Sequence, residues 1–185
     1  MTRGALSAED RERLLAIARR AIGARLRGEG RPRPAVSDRL REPQAAFVTL
    51  TRAVDGELRG CVGWFEAVFP LWETVSRAAE AAATDDGRFD PVTLEELAAL
   101  HVEVSALTPP RRLKPEEVEV GTHGLVVGRS GRRGLLLPQV PVEHGWDRET
   151  FLAQVCRKAG LPADAWRDPR AELLGFEAEV FGEDR

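Results

Sequence analysis

The stretch FVTLTRAVDGELRGCVGWF, Phe47 to Phe65, decides the fold class. Residues 47–52 and 57–65 are two β-prone runs, and Ala53, Val54, Asp55 and Gly56 stand between them, with Asp-Gly a strong turn signal. The spacing predicts an antiparallel hairpin. Just beyond it, Pro70 opens a predicted helix over 71–83, with Leu71, Val75, Ala78, Ala79 and Ala82 on one face and small residues that permit close packing. Asp85, Asp86 and Gly87 end that helix. Upstream, Ser7 and Asp10 form a capping box, and Leu14, Ile17, Ala18, Ala21, Ile22 and Leu26 make one apolar stripe that stops before Gly28 and Gly30. The run Gly30 to Pro34 cannot continue a helix, so 30–46 reads as a loop with one helical turn around Leu40.

Downstream, Thr93 and Glu96 predict a capped short helix through Leu100, anchored by Leu94 and Leu97. Residues 101–107 alternate, with Val102, Val104 and Ala106 on one face and His101, Glu103, Ser105 and Leu107 on the other. A second hairpin is expected from 124–127 and 134–137, joined by a basic tip over 128–133 in which Arg129, Arg132 and Arg133 are solvated. Asp147 caps a helix over 148–159, with Gly160 as its closing glycine. A last strand over 172–181 would place Leu174, Phe176, Ala178 and Val180 on one face. Strands and helices are mixed without regular strand-and-crossover alternation, so the class is α+β with hairpin-built sheets rather than doubly wound α/β. Two hairpin-then-helix blocks, 47–84 and 124–160, leave open a diverged duplication.

A chain of 185 residues and 20.4 kDa suits one domain, or one domain with two lobes. With 27 basic against 30 acidic side chains the net charge is −3, which gives no global positive field for nucleic acid or an anionic membrane. No apolar run is long enough for a secretion signal or a membrane span. Two cysteines, Cys61 and Cys156, make no disulfide framework, so a reducing cytoplasm is the expected compartment. His101, His123 and His144 have no metal-ligand spacing, and no phosphate-loop motif occurs; no cofactor and no metal are expected.

Chemistry concentrates in Leu58-Arg59-Gly60-Cys61-Val62-Gly63. In an extended strand Arg59 and Cys61 share a face, about 6.7 Å apart, while Leu58 and Val62 take the other. A guanidinium beside a thiol favours the nucleophilic thiolate. The competing reading makes Cys61 a small buried hydrophobe and pairs Arg59 with a carboxylate. His123, in the turn 121–124, or His144 would supply a base; a metal site of Cys61, His123 and Glu143 is the weaker alternative. Arg88 either binds an anion or closes an ordinary salt bridge in its loop. The glycines of the two hairpins, Gly60 and Gly63 in one and Gly121 and Gly124 in the other, suggest that both line one cleft, with Cys61 at its wall and His123 at its mouth.

The hexapeptide 58–63 resembles the hallmark of the AMMECR1 domain family. The resemblance continues through 86–93, 103–107, 121–125, 134–143, 145–147 and the helix end 156–160, and covers about residues 10–183, so the chain reads as a single AMMECR1 domain over 1–185. It is similar above all to the prokaryotic branch, protein A of the AmmeMemoRadiSam system. That resemblance implies a larger lobe holding both termini, a smaller middle lobe, and as partners a Memo-like protein and a radical SAM protein. The family's characteristic positions fall on Arg59, Gly60, Cys61, Gly63, Arg88, Phe89, His123 and Gly124, without an assigned reaction. This chain departs from the pattern at Thr84, at Gly87 and in the apolar run Trp64 to Phe69.

Two function classes follow. In one, the protein is a modification enzyme using Cys61, with Arg59 setting thiolate character and His123 transferring a proton. Arg59, Gly60, Gly63, Arg88 and His123 then line a cleft for a small anionic ligand. In the other, it is a non-catalytic adaptor whose apolar Trp64, Phe65, Val68 and Phe69 dock a partner. The sequence leaves the oligomeric state open.

Overall fold

The computed structural model describes residues 5–183, which fall into two compact units: the residues up to Leu107 together with those from Glu179 on, and Thr108–Ala178. The chain is α+β, as its patterning predicts.

In the first unit, helix α1 (Ala8–Leu26) starts at Ser7, whose side chain accepts the Asp10 N–H while Asp10 answers to the Ser7 backbone. Its stripe of Leu14, Ile17, Ala18, Ala21 and Ile22 is fully buried. After a one-turn helix, α2 (Asp38–Arg41), strands β1 (Ala46–Arg52) and β2 (Leu58–Trp64) form the expected hairpin. Helix α3 (Leu71–Thr84) follows, then strand β3 (Leu100–Leu107). The sheet order is β2-β1-β3 with an edge strand from the C-terminus, Ala178–Gly182, beside β3. Val48, Leu50, Val102, Val104 and Ala106 point at α1 and α3 and make the core with Leu14, Ile22, Val75, Ala78 and Ala82. The alanines of α3 let its backbone lie directly on the sheet: a Cβ added to Gly60 would meet the Ala82 carbonyl oxygen at 2.0 Å. Arg19 ties α1 to the far end of the chain, donating to the Glu183 carboxylate and to the carbonyls of Leu97 and Leu100.

The second unit has its own sheet and core. Strand β4 (Arg111–Arg112) comes first, then the hairpin β5 (Gly124–Arg129) and β6 (Arg132–Leu136), short helix α4 (Gln139–Glu143), helix α5 (Arg148–Lys158) and strand β7 (Glu172–Phe176), in the order β4-β7-β5-β6. The Asp147 side chain accepts the Thr150 N–H and caps α5, whose Phe151, Leu152, Val155 and Cys156 pack with Leu125, Val127 and Leu173.

Four local expectations are corrected. The basic hairpin tip is a two-residue turn, Ser130 at φ 51 and Gly131 at φ 78, so Arg129 and Arg132 are strand residues. Arg129 pairs with Asp168 at 3.0 Å instead of being solvated. The strand expected over 172–181 is two strands: β7 lies in the second sheet, and after Glu177 the chain continues as β8 (Ala178–Gly182) in the first. The face expected to carry Leu174, Phe176, Ala178 and Val180 does not hold through the break: Val180 is exposed, while Leu173 packs in the second core and Phe181 against the first, because period alone carries no sheet assignment. Residues 96–99 form a 3₁₀ turn with Leu97 packed on the core, but Leu94 is exposed and anchors nothing.

Candidate functional site

The face of the first sheet opposite α1 and α3 carries the chemistry. Register places Cys61 of β2, Thr49 of β1 and Glu103 of β3 in one cross-strand row. Directly opposed residues share a face with Cβ atoms about 4.5–5.5 Å apart, and the Thr49 hydroxyl donates to the Cys61 Sγ at 3.4 Å. The next row holds Gly63, Phe47 and Ser105; the Phe47 ring fills the space a Gly63 side chain would need.

β2 is an edge strand, and the Cys61 N–H turns outward. The Asp86 carboxylate accepts it at 2.9 Å. The same carboxylate receives the Arg88 Nε and Nη2 at 2.9 and 2.7 Å. The loop after α3 is thereby stapled to the strand, with one Asp86 oxygen shared by the cysteine backbone and the arginine. Arg88 first of all, and then the Cys61 N–H against the opposing effect of burial, hold the Asp86 carboxyl well below the ordinary carboxylate range.

Arg59 does not play the expected part. The β1–β2 register slips between Leu50 and Thr51: Gly60 opposes Leu50 and Leu58 opposes Thr51, leaving Arg59 as the extra residue of a bulge. Alternation breaks there. Leu58 therefore stands with Thr51, not with Val62, and Arg59 turns to the 90–96 segment. Its guanidinium meets Glu96 through Nε and Nη2 at 3.2 Å each and the Asp90 carbonyl at 2.8 Å, and its side chain is only 14% exposed. The carboxylate partner weighed as the competing reading is Glu96. Burial pushes the Cys61 thiol up from its ordinary value; the Thr49 hydrogen bond and the charge of Arg88 oppose that shift, and Asp86 and Glu103 add to it. The cation that acts on the thiol is Arg88, not Arg59, and at neutral pH the thiol keeps its proton.

His123 belongs to the second unit. It is buried rather than poised in a flexible turn, and its Nδ1 accepts the Glu119 N–H at 3.1 Å, which puts the neutral ring's proton on Nε2. The glycines that suggested two hairpins facing each other are each occupied by their own unit: Gly60 by Ala82, Gly63 by Phe47, Gly121 by Val142 and Gly124 by the Phe176 ring. His144 stacks on Trp146, with ring centroids 4.7 Å apart. Cys156 is buried, and Cys61 and Cys156 are both free thiols. No group of three His, Cys, Asp or Glu side chains able to hold a metal ion occurs among the described residues, and none of their helices is long and apolar enough to cross a membrane. In the apolar run after Gly63, Trp64 packs on the core, Phe65 is half-buried, Phe69 lies under the Arg77 guanidinium, and Val68 stands exposed.

The sequence reading missed Thr49, Asp86 and Glu103 as members of this site. Hairpin register was signal enough for Thr49, but nothing local announces that Asp86 folds back on Cys61.

Residues 15–181 match the AMMECR1 family model. The chain belongs to the AMMECR1 family. Among its relatives is protein MK0488 of Methanopyrus kandleri, 45% identical over 97% of this chain and 91% of that one. Protein NEQ441 of Nanoarchaeum equitans is 41% identical over 92% and 99%. The crystal structure of protein PH0010 from Pyrococcus horikoshii superposes with a TM-score of 0.89 at 45% identity, covering 97% of this chain and 94% of that one. These relatives are archaeal, and the match to PH0010 extends over both units of this AMMECR1 chain.

Proposed function

We propose that this AMMECR1 protein is a cysteine-dependent enzyme whose reacting group is the Cys61 thiol, neutral at rest. The observation that supports this reading is the convergence on one cysteine of a hydroxyl donor, Thr49, and a carboxylate–guanidinium pair, Asp86 and Arg88. A packing cysteine needs none of these. Cys156 is sealed in its helix interface, with a backbone hydrogen bond to Trp166 and, among the described residues, no charged pair beside it. Held protonated by burial, Cys61 becomes nucleophilic only when a substrate or base takes its proton, so the site is quiet until occupied. Family membership supports a place in a cytoplasmic AmmeMemoRadiSam-type modification system beside Memo-like and radical SAM proteins. Of the four residues the adaptor alternative would use, Trp64 and Phe69 are engaged within the fold, while Val68 stands exposed and Phe65 is half-buried.

Limited iodoacetamide labelling of the native protein across pH, read by intact mass and peptide mapping, tests the reading. Cys61 is expected to label and Cys156 to stay unmodified, with Cys61→Ser abolishing the adduct. A native Cys61 that no reagent reaches at any pH short of unfolding overturns it.

A further inference from the structure

Two arginines of the sequence motifs were candidates for binding an anion, and the structure separates them. Arg59 is spent: Glu96 takes its Nε and Nη2, a backbone carbonyl takes its Nη1, and its side chain is 14% exposed. Arg88 is different. Its side chain is 57% exposed, and Asp86 occupies the Nε–Nη2 edge of the guanidinium alone. The Nη1–Nη2 edge is a second planar fork of the kind that matches a carboxylate or phosphate.

That fork is held in place. Asp86 is itself almost fully buried, with 7% of its side chain exposed, and the oxygen that receives Arg88 Nη2 also receives the Cys61 N–H. The guanidinium is thus held by two hydrogen bonds to a carboxylate that is itself anchored on the cysteine backbone. An exposed arginine ordinarily loses much of its binding energy to side-chain freedom; a buttressed one has surrendered that freedom before the ligand arrives. The same Asp86 oxygen sets the arginine beside the cysteine, since it meets both the Arg88 Nη2 and the Cys61 N–H.

We propose that Arg88 binds the anionic group, carboxylate or phosphate, of a small electrophilic substrate and thereby presents its electrophilic centre to Cys61, with Asp86 as the positioning residue. This deepens the cysteine-enzyme reading and rests on it.

Iodoacetate and iodoacetamide test the idea, because both carry the same electrophilic carbon and differ in a carboxylate. In each case the Sγ–C bond forms as iodide leaves with its electron pair, and the thiol proton goes to solvent. Any change in thiol acidity alters both rates together, so the ratio of the two rates at Cys61, divided by the ratio for a free small thiol, reports anion recognition alone. For the unaltered protein that normalised ratio is expected well above one. Arg88→Gln should lower it several-fold, Arg88→Lys should restore part of it, and Arg59→Gln should leave it unchanged. Inorganic phosphate should slow iodoacetate more than iodoacetamide if the fork accepts phosphate, and leave both rates alone if it is confined to carboxylates.

A normalised ratio at or below one, or one indifferent to Arg88→Gln, overturns the inference while leaving a reactive Cys61 standing. Failure of both reagents to label Cys61 overturns the underlying reading instead. Should Arg88→Gln fold poorly, Arg88→Met decides: a ratio that falls to that of the free thiol supports the inference, and an unchanged ratio overturns it.

Discussion

Replacing Gly60 by alanine tests the claim that the reactive strand lies directly on helix backbone. An ideal Cβ at Gly60 would stand 2.0 Å from the Ala82 carbonyl oxygen and 3.0 Å from its carbonyl carbon, whereas ordinary contact begins near 3.4 Å. β2 and α3 must then part by more than an ångström locally. The obstacle is the backbone of a 14-residue helix, so no rotamer change relieves it. Overpacking a core costs about 1–3 kcal/mol, and a rigid obstacle puts this case near ~3. For a unit of about 110 residues each kcal/mol lowers Tm by about 4 °C, so the expected loss is roughly 12 °C. The two units can melt separately, so unfolding should be followed through Trp64 and Trp72 of the first unit, with Trp146 and Trp166 of the second replaced by Phe in the reference protein. Gly87→Ala is the matched control, having nothing within 4 Å of the added carbon and no positive φ, and should change stability by no more than ~0.5 kcal/mol. If Gly60→Ala is as harmless as the control, strand β2 is not pressed on α3 and the account of this glycine is wrong.

Two further outcomes concern the site and two the packing and capping of the units. Alkylation of Cys61 should reach half its limiting rate at a pH above that of a free thiol; Arg88→Gln should move that midpoint higher still, because it removes the cation that lowers the thiol, while Arg59→Ala leaves it in place, as pH–rate profiles will show. Asp86 is depressed below its ordinary 3.8 by Arg88 first and then by the Cys61 N–H, so the unfolded chain takes up its proton more readily: the stability it contributes is present above about pH 4 and disappears as the pH falls toward its folded value. Urea unfolding between neutral and strongly acid pH should therefore show a shallower acid loss in Asp86→Asn than in the unaltered protein. Asp147→Ala removes the cap of α5 and should cost about 1 kcal/mol in chemical denaturation, an outcome refuted by an unchanged midpoint. Trp64→Ser should lower thermal stability by ~2 kcal/mol or more, as expected for a core-packed ring, and a variant as stable as its parent would return Trp64 to the surface.

The sequence by itself determined most of the elements and one wall of the site. The Ser7/Asp10 and Asp147 caps, the stripe Leu14 to Ile22, the Asp-Gly hairpin and the alternation of 101–107 are written in contiguous residues, because helix and strand periods and turn chemistry act over a few positions. The same alternation put Glu103 on the face of β3 away from Val102 and Val104, where it joins Cys61 and Thr49. Tertiary structure decided the rest. The bulge that turns Arg59 from the thiol to Glu96 depends on the register between β1 and β2, and its new partner is 37 residues away. The Asp86 contact that brings Arg88 to Cys61 spans 25 residues and exists because α3 ends beside the edge of β2. The division of 172–181 between two sheets likewise depends on which strand edges are available to Leu173 and Phe181, not on a pattern that both halves share. Periodicity tells each residue which side of its own element it occupies; only the packing of distant elements tells a charged side chain which neighbour it meets, and in this protein that choice separates a structural arginine from the one beside the cysteine.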